Sequence, residues 1–302
     1  MRSAPIAFAA FAAFLASGHA APAALTARVD VFPSQPRTGQ AVTIQLRSFS
    51  PFTDGTTRPA VVPPSIPWSI AAISPSGRQF RIRVSRAPAN PYLWSGVIRL
   101  RWRGLWTVCV LNFSFAGRTC VARSPGWQRL RVRARSASID TWQRLERPFR
   151  VPTIAFGSRC PTSVADAKGD LSRIGFAGTA WGKGPAYPGG LDVGAGKAVL
   201  RYVDPIPRES GFYGSAWFGN KTLWVVDPVY AGPLLVRGLQ LDGPNELGFD
   251  KEKLPAQAMR ISPGASPRAR PSFTRVRASG CYAYQVDGLE FSYLIIFEAK
   301  PF

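Results

Sequence analysis

Histidine and methionine are almost absent from this sequence. The one histidine, His19, lies in the N-terminal segment discussed below, and Met259 is the only methionine after Met1. A Ser-His-Asp or Cys-His nucleophile therefore cannot be assembled from the rest of the chain. Histidine-ligated zinc or copper is excluded for the same reason. We expect a protein that is not an enzyme and that holds neither a cofactor nor a metal.

Acidic residues and lysine are scarce in the first half of the chain. Residues 21–150 contain 20 arginines, no lysine and four acids, a net charge of 20 − 4 = +16. Residues 151–302 contain 10 arginines, seven lysines and 13 acids, so their net charge is 17 − 13 = +4. This asymmetry indicates two domains with different roles. A GC-rich coding sequence would explain arginine over lysine, but not the shortage of acids.

The sequence contains no hydrophobic run long enough to span a membrane, and the apolar run near its N-terminus is short. Arg2 precedes an apolar run over residues 6–15, and small residues follow as far as Ala20, which is the pattern of a cleaved secretory signal. The alternative is an uncleaved anchor, but about 12 apolar residues are too few to span a bilayer. We expect residues 1–20 to be removed as a signal peptide. The mature protein, without a transmembrane segment, would be secreted or held in the cell envelope.

Cysteine occurs four times, and an even number in an exported chain favours disulfides. The cysteines are Cys109, Cys120, Cys160 and Cys281. The stretch CVLNFSFAGRTC can fold back as a hairpin, which favours a Cys109–Cys120 bond. A Cys160–Cys281 bond would then join the first strand of a second domain to one of its last. Metal binding is the alternative, but the spacings contain no CxxC and match no zinc pattern.

Short runs of alternating hydrophobicity, separated by Pro- and Gly-containing turns, dominate the rest of the chain. This pattern predicts an all-β protein with two immunoglobulin-like β-sandwich domains. We place the first domain at residues 27–135, a linker at 136–158 and the second domain at 159–302. The stretch SIDTWQRLERPFR within the linker could be a short helix. The dipeptide Asp287-Gly288 predicts a hairpin between the last two strands.

Four stretches of the first half resemble bacterial immunoglobulin-like domains of the YtkA/CopC type. They are FPSQPRTGQAVTI, SPSG, LWSG and RGLWTVCV. The resemblance implies a secreted sandwich with a role in copper handling or in the cell envelope. Copper binding is not carried over, because the family's histidine ligands have no counterpart beyond His19. The ending SGCYAYQVDGLEFSYLIIFEA resembles exported immunoglobulin-like domains to which we attach no activity.

Arginine alternates with apolar residues in three predicted strands. These arginines are Arg81, Arg83, Arg99, Arg101, Arg103, Arg129, Arg131 and Arg133, and the pattern continues to Arg135. Each strand would have one apolar and one cationic face, with Ile98, Leu100 and Trp102 facing the core.

If two such strands pair, like charges face each other, which is destabilising unless an anionic partner is present. The guanidinium fork suits the phosphate and carboxylate groups of envelope polymers or lipid headgroups. The alternative is an ordinary solvated face. Nucleic acid is not expected outside the cytoplasm.

A second set of candidates is a group of aromatic residues on Gly-rich segments of the second half. They are Trp181, Tyr187, Phe212, Tyr213, Trp217 and Phe218. Such residues form either a platform for a glycan or another ligand, or pegs that close the end of a sandwich. The acidic residues do not predict a catalytic site. Turn formation explains four of them that stand beside Pro or Gly at strand ends, namely Asp204, Asp227, Asp242 and Asp287.

The sequence therefore predicts an exported, non-catalytic binding or envelope-associated protein. Its cationic first domain would dock on an anionic cell-wall or membrane polymer, and its second domain would bind a protein or a glycan. One alternative is a carbohydrate-binding or carbohydrate-active module that uses the loop aromatics. Another is a purely structural envelope protein.

Overall fold

The computed structural model describes residues 26–51, 57–60, 70–88, 90–110, 127–134, 140–152, 154, 158–191, 196–264 and 268–302. The predicted signal peptide, Cys120 and Arg135 lie outside these residues. Within these ranges, no helix has both the length and the apolar character needed to cross a membrane.

The first half is an antiparallel β-sandwich. Its described strands are β1 (Thr26–Phe32), β2 (Ala41–Pro51), β3 (Thr57–Pro59), β4 (Ile70–Ile73), β5 (Gln79–Ile82), β6 (Ser85–Ala87), β7 (Asn90–Arg99), β8 (Gly104–Val110) and β9 (Trp127–Val132). One sheet has the order β1-β2-β7-β6, with β3 on β2, and the other has the order β5-β4-β8-β9. These orders correspond to the A-B-E-D sheet and the G-F-C sheet, extended by one strand, of immunoglobulin domains. The predicted fold class is confirmed.

Alternation along the strands creates the core between these two sheets. In β2, Val42, Ile44 and Leu46 are fully buried, and they meet Trp106 and Val108 of β8. Because side chains on a strand point to alternate faces, the intervening residues of β2 point away from this core. Burial of this apolar surface is the main force that holds the two sheets together.

The chain turns earlier than the alternation predicts at the end of β7. The sequence favours a strand that continues to Trp102, but β7 ends at Arg99 and β8 begins at Gly104. Gly104 has a φ of +125°, and a Cβ there would lie 2.7 Å from Cγ of Pro75. The placement of Trp102 in the core is therefore wrong. Its side chain is 45% exposed, and Trp106 fills the core instead.

Gly104→Ala is expected to destabilise the protein by about 1–3 kcal/mol, because it adds a contact with Pro75 to a strained backbone. Gly77→Ala is the matched control, since Gly77 also has a positive φ (+82°) but no atom within 4 Å of the added Cβ. Urea unfolding followed by circular dichroism measures both variants. Equal losses would contradict a role for the Pro75 contact.

The second half contains a second sandwich. Its described elements are β10 (Ala165–Asp170), a 3₁₀ turn (Leu171–Ile174), β11 (Thr179–Trp181), β12 (Ala186–Gly189), β13 (Val199–Tyr202), β14 (Phe218–Val226), β15 (Leu234–Gln240), β16 (Gly248–Phe249), β17 (Ala258–Ile261), β18 (Arg268–Val276), β19 (Gly280–Asp287) and β20 (Ser292–Pro301). The orders β12-β14-β18-β16 and β13-β20-β19-β15-β17 form its two sheets, while β10 and β11 pair separately. Every pairing is antiparallel except β13 with β20, which is parallel.

The predicted hairpin and one predicted disulfide are present in this half. β19 and β20 pair in register from Asp287 opposite Ser292 to Gly280 opposite Ala299. Cys160 and Cys281 are bonded, although Cys160 precedes β10 and does not lie within a strand. Cys109 is buried on β8. Because Cys120 lies outside the described residues, the Cys109–Cys120 pairing stays a prediction.

The segment that joins the two halves is packed against both of them. It contains the short helix α1 (Thr141–Leu145), where the Asp140 carboxylate accepts a hydrogen bond from the Trp142 amide. Further on, the Phe149 amide donates to the side chain of Gln45 on β2. From the second half, the amide side chain of Gln285 donates to the Pro148 carbonyl. The outer face of the β1-β2-β7-β6 sheet is thereby covered in part. The candidate site described next lies at one end of the sandwich, where both sheets contribute to it.

Candidate functional site

One end of the first sandwich brings together three loops and the end of a strand. The loop at residues 36–39 contacts the β7–β8 turn, because the Gly39 amide donates to the Leu100 carbonyl over 2.9 Å. The same loop contacts the end of β9, where the Thr38 amide donates to the Arg133 carbonyl. The β4–β5 turn at residues 75–78 packs on Gly104 through Pro75. Four segments that are distant in sequence thus share one tip.

Six exposed arginines lie at this end, which we call the arginine tip. They are Arg78, Arg99, Arg101, Arg103, Arg131 and Arg133. Arg99 bends toward the loop and donates to the Gly39 carbonyl over 3.1 Å. Arg101 and Arg103 belong to the β7–β8 turn, and Arg131 lies opposite Leu105 in the β8–β9 register. The sandwich therefore presents a concentrated cationic surface.

The carboxylates described in the first half are engaged with groups other than the six arginines of the tip. Asp30 on β1 accepts from Arg28 over 3.0 Å and lies 3.8 Å from Arg47. Glu146 accepts from the backbone and the side chain of Ser34. Among the described residues, no carboxylate forms an ion pair with any of the six arginines of the tip. Their positive charges are therefore not neutralised by this part of the chain.

Two large apolar side chains are exposed at the arginine tip. Trp102 stacks on Trp106, with ring centroids 5.9 Å apart and an interplanar angle of 17°. Phe80 lies 5.6 Å from the Trp102 ring and carries the guanidinium of Arg78 over its own ring. Leu105 is 45% exposed. The tip is therefore both cationic and aromatic.

The remaining predicted arginines lie outside the tip. Arg81 lies on the edge strand β5, opposite Ala71 of β4, and Arg83 follows β5 in the chain. Arg129 lies opposite Thr107, two residues before Arg131 on β9. The three arginine-bearing strands do not pair with one another: β7 belongs to one sheet, and β5 and β9 are opposite edges of the other. A cross-strand arginine ladder between them does not form.

Arg78 and Leu105 lie at the tip, although the sequence does not predict them as site residues. Arg78 begins the run RQFRIRVSR on the side of its apolar residues, and Leu105 is one of the apolar residues of RGLWTVCV, so the pattern singles out neither. Strand pairing is the feature that identifies these two residues. Because β4 and β8 are antiparallel neighbours, the β4–β5 turn lies at the same end of the sandwich as the start of β8.

The aromatic candidates of the second half are mostly packed inside it. Trp181, Tyr187 and Trp217 are at most 2% exposed, Phe212 is 9% exposed and Phe218 is half-buried. Tyr213, 45% exposed, is the exception within this set. Phe212 contacts Phe273 edge to face. The burial favours the packing alternative over a flat platform for a sugar.

Arg275 is the residue that organises the loop carrying these aromatics. It is fully buried, and its guanidinium donates to the carbonyls of Trp217, Phe218 and Glu252. The same group lies 3.8 Å from the centroid of the Phe212 ring. Burial lowers the pKa of Arg275 to about 10. Since that value is still above neutrality, the side chain stays charged and acts as an internal clamp.

An open groove of about 560 Å³ lies on β14 and β18 of the second half. Its charged groups are partly satisfied within it, because Arg270 donates to both oxygens of Asp250, and Ser272 donates to one of them. Lys221 and Lys251 also line it. The groove mixes charges of both signs and does not present a single charge to a ligand.

Three of the four turn carboxylates take part in separate contacts of the second half. Asp227 pairs with Arg173 over 2.6 Å. The Asp242 carboxylate accepts from the Cys281 amide, and burial raises its pKa. Asp287 is fully buried beside Arg237. Among the described residues, these contacts serve the fold and assemble no pair of carboxylates across a substrate site.

Comparison with known proteins gives no family for this chain. No family model matches it, and no curated protein matches its sequence. Among solved structures, it is similar to a DUF4785 family protein from Legionella pneumophila at 10% identity and a TM-score of 0.23, over 88% of this chain and 54% of that one. It is also similar to the Escherichia coli adhesin FdeC at 10% identity and a TM-score of 0.25, over 92% and 66% of the two chains.

This chain therefore spans about half the length of the first of these proteins and about two thirds of the second. TM-scores of this size carry no argument about function. The resemblance to YtkA/CopC-type domains stays a prediction.

Proposed function

We propose that this protein is an exported, non-catalytic binding protein that docks on an anionic surface of the cell envelope through the arginine tip. The observation that carries the proposal is the collection of six exposed arginines from separate segments, without an ion-paired carboxylate among the described residues. An ordinary solvated face and a GC-rich coding sequence both explain exposed arginines. Neither requires several loops to bring them to one end.

Electrostatics supports this use of the tip. Arginines held close together repel one another, and an anionic partner removes that repulsion when it binds. The planar guanidinium forms paired hydrogen bonds with phosphate or carboxylate oxygens. Because the six side chains are exposed, they meet a surface without rearrangement of the core.

Salt dependence tests the proposal. The mature chain is passed over immobilised polyglycerol phosphate, with uncharged dextran as the control polymer. We expect binding at low salt that weakens at least about tenfold when NaCl is raised from about 0.05 M to 0.5 M, because exposed charges are screened over a few ångströms at the higher concentration. Binding that ignores salt would contradict the proposal, as would absence of binding at low salt both to this polymer and to anionic lipid vesicles. Either result would leave a purely structural envelope role.

A further inference from the structure

We infer that the surface on which the arginine tip docks is an anionic lipid bilayer, and that Trp102 and Leu105 enter its headgroup region. This inference rests on the proposed function and names the partner of the same site. Arginines alone would suit any polyanion. The two exposed apolar side chains beside them distinguish a lipid surface from a soluble polymer.

Trp102 is held at the surface and is not free to fold back into the core. Its neighbour Trp106 already fills that place, at 1% exposure, and stacks under the Trp102 ring. The Trp106 indole also donates to the Trp102 carbonyl over 2.9 Å. An indole fixed half in and half out of the protein matches the environment at a membrane interface, where tryptophan is enriched.

Leu105 provides a second apolar contact beside the cationic groups. It lies directly opposite Arg131 in the β8–β9 register and is 45% exposed. Arginine side chains place their charged heads near phosphate while their stems cover apolar surface. Leu105 and Arg131 can therefore occupy the same interface, one against acyl carbons and the other against headgroups.

Charge and apolar exposure together favour a bilayer over a hydrated polymer. A teichoic-acid-like chain offers phosphates but little apolar surface that would cover Trp102 and Leu105. An anionic bilayer offers both, and peripheral proteins bind it through a cationic face with aromatic and aliphatic insertions. A span across the membrane is not implied, because the contact is confined to one tip.

Vesicle sedimentation with the mature chain tests this inference. The vesicles contain phosphatidylcholine, alone or with 30% phosphatidylglycerol. We expect binding to the anionic vesicles that is about tenfold weaker in the double variant Trp102→Ser/Leu105→Ser. The matched control is Val229→Ser/Leu254→Ser, which removes two apolar residues that are 77% and 79% exposed elsewhere. It should bind as the unmodified chain does.

Quenching by brominated lipids gives a second readout that does not depend on the stability of the double variant. The chain has nine tryptophans, so the unmodified protein is compared with Trp102→Phe. We expect quenching by anionic brominated vesicles that is largely lost in Trp102→Phe.

The two experiments separate the two proposals. In one outcome the protein binds polyglycerol phosphate and vesicles in a salt-sensitive way, but Trp102→Ser/Leu105→Ser has no effect and no quenching is seen. That outcome would overturn the lipid inference and leave the proposed function standing. Absence of binding to both partners at low salt would overturn both.

Discussion

Replacing Arg101, Arg103 and Arg131 together with glutamine is expected to weaken binding to anionic vesicles by about 100-fold. Each arginine near an anionic membrane contributes about 1 kcal/mol, so the three remove about 3 kcal/mol, which corresponds to roughly two powers of ten in the dissociation constant. The three side chains are exposed and lie among like charges, so their replacement should not lower the stability of the fold. Sedimentation with vesicles containing phosphatidylglycerol measures the effect.

A matched variant separates the tip from the net charge. Arg150→Gln/Arg159→Gln/Arg208→Gln removes the same three charges from exposed positions that belong to no segment of the tip. A protein that binds only through its overall charge of +21 would lose the same affinity in both triple variants. We expect the matched variant to lose less than about fivefold, since charges beyond a Debye length of about 10 Å from the surface are screened.

Much of the fold could be predicted because the determining signals are local. Period-two alternation, as in AVTIQLRS, predicts a strand where β2 is found, and Asp287-Gly288 predicts the hairpin of β19 and β20. The pairing of Cys160 with Cys281 followed from assigning the other two cysteines to a short hairpin. The strand and the hairpin need only neighbouring residues, and the disulfide needs only the assignment of the four cysteines.

The arrangement of the site could not be predicted from such signals. The alternation of Arg99, Arg101 and Arg103 continues through a point where the chain actually turns, because Gly104 packs against Pro75 from another turn. Which strands share a sheet is decided by contacts between distant segments. The arginine-bearing strands therefore looked equivalent in sequence but lie in two sheets.

Asp287 illustrates the same limit at a single residue. Beside Gly288 it predicts a turn, and the turn is present. The sequence does not show that its carboxylate is fully buried. Nor does it show that this carboxylate accepts a hydrogen bond from Arg237 of β15, over a distance of 2.7 Å. The amide side chain of Gln285 donates to the same carboxylate. Arg237 also stands over the ring of Phe149 from the joining segment, 4.9 Å from its centroid. Asp287 therefore neutralises an arginine where the joining segment packs on the second half.

Asp287→Ala is accordingly expected to lower the free energy of unfolding by about 3–5 kcal/mol, since removal of one partner leaves a buried charge without compensation. Glu298→Ala is the matched control, because Glu298 pairs with Lys300 over 3.3 Å where both side chains are more than a third exposed. That change should cost at most about 1 kcal/mol. Guanidinium unfolding followed by tryptophan fluorescence, with the Cys160–Cys281 disulfide intact, measures both variants.

The reason for the loss at Asp287 can be tested with a second substitution. If the cost comes from the orphaned guanidinium, adding Arg237→Met to Asp287→Ala should recover part of the stability, because a buried ion pair replaced by apolar groups is often neutral. If the cost comes from lost packing, the second change should add to the first. A double variant less stable than Asp287→Ala would therefore contradict the electrostatic explanation and assign the role of Asp287 to the shape of the turn.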